Sequence, residues 1–206
     1  GFRVTVQDVA AVGWSGAVID LAMVTLTFLT AVIVGIRLLR LDRQTAILIG
    51  AGSAICGAAA VLATEPVVRA QAHKVAVAVA TVVVFGTLSM LLTPLAAHAL
   101  GMDARLSGLF AGSTIHEVAQ VVVAGRGLGE EVAATAVIVK MMRVMLLAPF
   151  LVILSAVLRF EAEDQAQERR ITIPWFAVAF LAVVGLHSLG IIPHALLEAL
   201  RHADDA

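Results

Sequence analysis

The sequence predicts an all-α protein: a polytopic bundle of transmembrane helices with short broken or re-entrant segments, of the inverted-repeat transporter kind. Three observations predict it. Of the 206 residues, 61% are hydrophobic and 14% charged, against about 25% charged in soluble domains; at a mean hydropathy of +1.01 the chain cannot cover its apolar surface with water-compatible side chains. Apolar stretches near the roughly 20 residues that a spanning helix needs recur along it. Finally, one glycine-opened segment is written twice. Ala51-Gly-Ser-Ala-Ile-Cys-Gly-Ala-Ala-Ala-Val61 and Ala111-Gly-Ser-Thr-Ile-His-Glu-Val-Ala-Gln-Val121 share Ala, Gly, Ser, Ile, Ala and Val at matching places.

The elements follow in order. The first span is read over residues 15–39: nothing between Asp20 and Arg37 is charged, Trp14 stands where an interfacial aromatic belongs, and Arg37, Arg40 and Arg43 close it. The first motif copy, over 47–63, is short and rich in Gly, Ala and Ser. It is expected to end at Glu65-Pro66, because a residue before proline avoids helical geometry. The second span, 75–102, is interrupted only by Gly86, Pro94 and His98, and Gly86 and Pro94 are expected to kink it. The second copy covers 106–124. The third span, 132–158, is apolar except for Lys140 and Arg143, which lie well inside it. A solvated polar connector is expected over 159–172. A fourth span follows Pro174, with Trp175 as its belt, toward Leu196 and Leu197. All of 1–206 is read as one transmembrane domain.

Read as full spans or as hairpins, the two short segments leave an even number of crossings between the basic cluster at 37–43 and that at Arg159, Arg169 and Arg170. Both clusters can then face the cytoplasm under the positive-inside rule. The hairpin reading also puts Arg69 and Lys74 inside, leaves Arg105 and Arg126 outside, and makes the two copies enter from opposite sides, as an inverted repeat would. The slight charge bias leans that way.

Composition also narrows the function. A net charge of −1 gives no field for nucleic acid. Cys56, the one cysteine, excludes an internal disulfide and a cysteine-rich metal site, and it reads as a small buried hydrophobe. His-Glu-x-x-Gln at 116–120 fails the zinc-protease pattern, since Gln120 is a poor zinc ligand. His187, His194 and His202 read as interfacial or structural residues. No P-loop is present, so coupling to an ion gradient is favoured over ATP use. No enzyme activity, metal or cofactor is expected. The partners expected are a small-molecule or ion substrate and the lipid bilayer, with self-association into a homo-oligomer left open.

The polar residues carry the chemistry. Ser113, His116, Glu117 and Gln120 have the i, i+3, i+4, i+7 spacing of one helical face. An ionisable group in hydrocarbon costs about 2.5–3.5 kcal/mol on insertion scales, so Glu117 must meet a polar cavity or a partner. The matching face of the first copy, Ser53, Cys56, Gly57 and Ala60, is small-sided and suits close backbone approach. Lys140 and Arg143 lie too deep to reach either surface easily. Paired with the single charge of Glu117 they leave a net positive centre, a seat for an anion; the alternative is a salt-bridge network with Glu117 or Glu65. Helix N-termini at Gly52 and Gly112 are expected to add unpaired N–H groups that favour anions.

Several stretches resemble the bacterial YeiH-type family, which carries the label of sulfate exporter. They are Ile49-Gly-Ala-Gly-Ser-Ala-Ile-Cys-Gly-Ala-Ala-Ala-Val61, Ala63-Thr-Glu-Pro-Val-Val68, Phe85-Gly-Thr87, Gly112-Ser-Thr-Ile-His-Glu-Val-Ala-Gln-Val-Val122, Lys140-Met-Met-Arg-Val144 and Ile171-Thr-Ile-Pro-Trp-Phe176. The resemblance implies a multi-pass inner-membrane secondary transporter, related in fold to cation/proton antiporters and anion transporters, with inverted repeats and interrupted helices. Family members are longer, and Gly1-Phe-Arg reads as the tail of an earlier element, so a central piece is expected. Sulfate is implied by the family label and agrees with Lys140 and Arg143.

The reading is therefore a secondary transporter of a small anion, sulfate or a related sulfur oxyanion, working by alternating access. Gly52, Ser53, Gly112 and Ser113 would line the site, Lys140 and Arg143 would balance the anion, and Gln120 would hydrogen-bond. His116 and Glu117 would hold or relay a proton or position Lys140, and Glu65 would gate or cap the first segment. The rivals are a sodium- or proton-coupled cation carrier built on Glu117 and a membrane scaffold in which the polar residues only lock helices together.

Overall fold

A computed structural model describes residues 6–163; the expected fourth span with Trp175, His187, His194 and His202, and most of the polar connector, lie outside them. The described part is helical throughout: α1 (Val6–Arg37), α2 (Arg43–Ala54), α3 (Ala58–Val68), α4 (Ala72–Ala99), α5 (Ala104–Thr114), α6 (Val118–Leu128), α7 (Glu130–Met145) and α8 (Leu147–Glu163). Among the described residues three stretches are long and apolar enough to cross a membrane: Asp20–Arg37, Ala72–Ala99 and Glu130–Arg159. The third joins α7 to α8 through one turn at Leu146. Pro149 lacks the N–H that would bond Met145 four residues back, so the ladder is broken there. Helix α8 runs on to Glu163, so the connector begins as helix rather than as a loop from 159.

Each motif copy forms two helices with a break between them, and both pairs fold back as hairpins. In the first, Gln44 Nε2 at the start of α2 donates to the carbonyls of Val68 and Arg69 at the end of α3, at 3.1 and 3.2 Å. Lys74, at the start of α4, ties the same end together through Asp42 (2.7 Å) and Gln44 (2.9 Å). In the second, Leu128 at the end of α6 lines one cavity of about 370 Å³ with Ala104 and Ser107 of α5 and with Ala97 and His98 of α4. Helix α4 has 28 residues and so spans roughly 42 Å. The hairpins therefore enter from opposite ends of α4, with basic Arg40, Arg43, Arg69 and Lys74 gathered at the first end.

One expectation about proline is corrected. The first segment does not stop at Glu65: α3 continues through Pro66 and ends at Arg69, which takes a left-handed cap (φ 51°). Pro66 is exposed and follows exposed Leu62, whose carbonyl is the one a proline leaves unbonded, so the defect falls on the outer face. Helix α4 also continues through Pro94 as one element.

Two apolar clusters hold the hairpins. Around the first, Val24 of α1, Leu48 of α2, Val61 of α3, Val82 of α4 and Leu151 of α8 are buried together, and Phe28 meets Phe150 edge to face at 4.9 Å. Around the second, Ala111, Ile115, Val121, Ala124 and Ala136 close on one another. Helix α5 touches α7 through glycine: a Cβ on Gly112 would lie 2.5 Å from the Ala136 carbonyl oxygen, and one on Gly108 2.7 Å from the Thr135 Cβ. The outward faces of α1, α4 and α8 are bare leucine and valine, such as Leu26, Leu92 and Val152, as hydrocarbon-facing helices require.

Candidate functional site

The two hairpin tips meet. The first is Ile55-Cys56-Gly57, with Gly57 at φ +66° and ψ −134°, a conformation that needs glycine. The second is Ile115-His116-Glu117. A Cβ built on Gly57 would lie 3.5 Å from the Glu117 Cβ and 3.6 Å from the His116 carbonyl oxygen. The outgoing helices α3 and α6 begin here, capped by Gly57 and Glu117, and neither cap residue makes a side-chain hydrogen bond to the helix. Two helix N-termini thus open at the meeting point, and in the first turn of α3 the Ala60 N–H bonds the Cys56 sulfur.

Helix α7 brings two cations to the same place. Lys140 is 1% exposed, and its Nζ donates to the Ile115 carbonyl at 2.7 Å. Arg143 is 3% exposed; its Nη1 donates to the Ser113 carbonyl at 2.6 Å. Those are carbonyls at the C-terminal end of α5 that the break leaves without helical donors, and cations suit that end of a helix. The second nitrogen of Arg143, Nη2, lies 3.5 Å from Oδ1 of Asp20, a buried carboxylate on α1. Nε of Arg143 has no hydrogen-bond partner among the described residues, nor has Nδ1 of His116. The side edge of the guanidinium, made of Nε and Nη2, is therefore held by a single long contact.

Placement of the expected residues is uneven. His116, Lys140, Arg143 and the backbone of Ser113 come together, Glu117 lies beside Gly57 and Cys56, and Lys140 acts electrostatically on both His116 and Cys56. Ser113 Oγ turns back to the Phe110 carbonyl (3.1 Å), and Ser53 lies half-buried at the inner end of α2. The single face expected for Ser113, His116, Glu117 and Gln120 does not exist, because the helix breaks between Thr114 and Val118. Gln120, one turn into α6, donates to Thr87 Oγ1 at 3.2 Å and fills the space beside Gly86.

Gly52 and Gly112 are not helix N-termini. They lie near the C-terminal ends of α2 and α5, pressed against Val61 and Val82 and against Ala136 and Val139. The N-termini at the centre belong to α3 and α6 instead. Glu65 is eight residues beyond Gly57 along α3, roughly 12 Å away at helical rise, so the structure does not bring it to Lys140 or Arg143.

Asp20 was not among the expected site residues, and it changes the charge balance. It sets a buried carboxylate directly against Arg143 and Lys140, which offsets part of the net positive charge expected there. Its signal was present in the sequence: it is the one acid between Asp8 and Asp42, seventeen residues before Arg37 in an apolar stretch.

Comparison with known proteins agrees with this architecture. A model of the family described as conserved hypothetical protein 698 matches residues 1–205. A UPF0324 membrane protein of Pseudomonas aeruginosa is 54% identical over 99% of this chain and 60% of its own length. The UPF0324 inner membrane protein YeiH of Salmonella typhimurium is 50% identical, and that of Escherichia coli K12 47%, each over 99% of this chain and 59% of the relative. The chain thus spans about three fifths of the curated relatives it matches. No solved structure matches it. With a bundle of apolar helices and a relationship this close along its whole length, the chain belongs to the UPF0324 family of inner membrane proteins.

Proposed function

We propose that this protein carries a small oxyanion, sulfate or a related sulfur oxyanion, across the inner membrane by alternating access, with the centre between the hairpin tips as its binding site. The observation that carries the reading is the side edge of Arg143, a planar pair of donors 97% buried in a membrane protein and almost unengaged. Such an edge fits two oxygens of an oxyanion at once. Two helix N-termini beside it favour negative charge. Irregular backbone at depth is tolerated where it lines a site or is buried in protein, and opposed hairpins are how interrupted-helix carriers open to one side and then the other.

In this mechanism Arg143 binds the anion in the plane of its fork while Ser113 O keeps that fork oriented. Lys140, tethered to Ile115 O, supplies a point charge. Opposed hairpins related as an inverted repeat would let one tip loosen while the other stays packed. The basic end carrying Arg40, Arg43, Arg69 and Lys74 would face the cytoplasm.

The test is flux of radiolabelled sulfate into proteoliposomes of the full-length protein. Sulfate flux that is lost in Arg143→Gln and Lys140→Ala supports the anion carrier. Sodium- or proton-driven cation flux lost in Glu117→Gln favours the cation carrier instead. If folded protein moves no ion and these variants only lower stability, both transport readings fall.

A further inference from the structure

Asp20 poses a problem for an anion carrier, because a buried carboxylate already sits on the edge that the anion would use. An incoming anion brings further negative charge against it, a repulsion that is relieved when the carboxylate gives way. Asp20 is the carboxylate in contact with the binding edge of Arg143, at 3.5 Å through Nη2, whereas charge-assisted bonds close at about 2.7–2.9 Å. The contact is loose, and the guanidinium does not depend on it for orientation, since Nη1 is fixed on Ser113 O at 2.6 Å. Asp20 is 8% exposed on an apolar helix. The charged groups facing it among the described residues are Arg143 and Lys140 of α7. Helix α2, also packed on α1, offers only Arg43 at its outer end as a titratable group.

We propose that Asp20 is a built-in stand-in for the substrate: its carboxylate occupies the Arg143 edge when no anion is bound, and an incoming oxyanion displaces it, whereupon Asp20 takes up one proton. This rests on the anion reading above. The proton comes from the aqueous side open at that moment and bonds to a carboxylate oxygen, and no other bond is made or broken. Displaced from Arg143, an ionised Asp20 would be an unpaired charge in a buried site, and such groups neutralise rather than remain charged. Anion and proton then travel together, and Arg143 and Lys140 face the anion without the opposing charge of Asp20. By linkage, anion binding strengthens as pH falls, because the bound state holds one more proton.

The experiment uses the full-length protein, with sulfate as the probe. Wild type is expected to take up one proton per sulfate bound in weakly buffered detergent solution. Its sulfate affinity should rise about tenfold for each unit drop in pH across the window where Asp20 titrates. Asp20→Asn is expected to keep sulfate binding and lose both the proton uptake and the pH slope. A folded Asp20→Asn that retains the slope, or that no longer binds sulfate, overturns the inference while leaving the anion reading in place. If that variant does not fold, infrared difference spectra of wild type labelled with ¹³C-aspartate decide: a protonated aspartic carboxyl band appearing on sulfate addition supports the inference, and its absence overturns it. Wild type that binds no sulfate at any pH sinks the anion reading itself.

Discussion

The ammonium group of Lys140 on α7 bonds the carbonyl oxygen of Ile115 at 2.7 Å, and three residues on, Arg143 bonds Ser113 at 2.6 Å. In a continuous helix those two carbonyls would accept from Ala119 and Glu117. The second hairpin turns instead, and the two cations satisfy what the turn leaves open. Charge at this depth thus has a structural duty as well as the proposed binding one, and the two can be separated by substitution.

Lys140→Met removes the charge, keeps much of the volume and orphans the Ile115 carbonyl. We expect sulfate flux in proteoliposomes to fall at least tenfold. Thermal unfolding in detergent should show a loss of about 1–3 kcal/mol, the usual penalty for a buried acceptor left unpaired. Unchanged flux beside reduced stability would confine Lys140 to the structural role.

Gly112→Ala tests the packing of α5 on α7. The new methyl would lie 2.5 Å from the Ala136 carbonyl oxygen and 2.9 Å from the Val139 Cβ, so the helices must separate. Overpacking of this kind costs about 1–3 kcal/mol. The expected result is a lower melting temperature together with weaker sulfate binding, because Ser113 moves with Gly112. A melting temperature equal to wild type would contradict the packing.

Gly57→Ala probes the tip of the first hairpin. At φ +66° and ψ −134° a side chain strains the backbone by about 1–3 kcal/mol. The added Cβ itself would meet Glu117 and His116 only at ordinary contact distances of 3.5–3.6 Å. Strain rather than collision should therefore dominate. Faster hydrogen exchange at residues 55–61 than in wild type is the expected signature, and equal protection would refute it.

Asp42 lies outside the spanning segments, between α1 and α2. The Lys74 ammonium, then the Thr45 hydroxyl, hydrogen-bond its carboxylate and lower its pKa from 3.8 to about 2. The folded value is the depressed one, so the stabilisation is fully present above about 4 and is lost as pH falls toward 2. The effect is modest, because the carboxylate side chain is 47% exposed and water screens such pairs. Between pH 4 and pH 2 wild type should lose more thermal stability than Asp42→Asn, whose curve lacks this contribution. Parallel curves would show that the clamp at the mouth of the hairpin adds nothing.

The spans were legible because hydropathy and length are local properties. The stretches expected over 75–102 and 132–158 became the spans Ala72–Ala99 and Glu130–Arg159, the second turning once at Leu146 between α7 and α8. The two copies were legible as short, interruptible segments because glycine weakens a helix wherever it sits. The break in the second copy was not. Ile115-His116-Glu117 contains neither glycine nor proline, its periodicity continues through the turn, and so one helical face was read where there are two helices. What stabilises that break is a pair of cations 25 and 30 residues further on.

By itself, then, the sequence determined the solvent. Its apolar stretches commit the chain to hydrocarbon, and its few buried charges must find partners there. Only the tertiary structure decided which partners. Asp20 meets Arg143 across 123 residues, Gly57 meets Glu117, and Gly52 and Gly112 serve packing instead of opening helices. Burial in a low-dielectric interior makes an unpartnered charge costly, and which partner it meets depends on which helices are neighbours, a fact that no local period encodes.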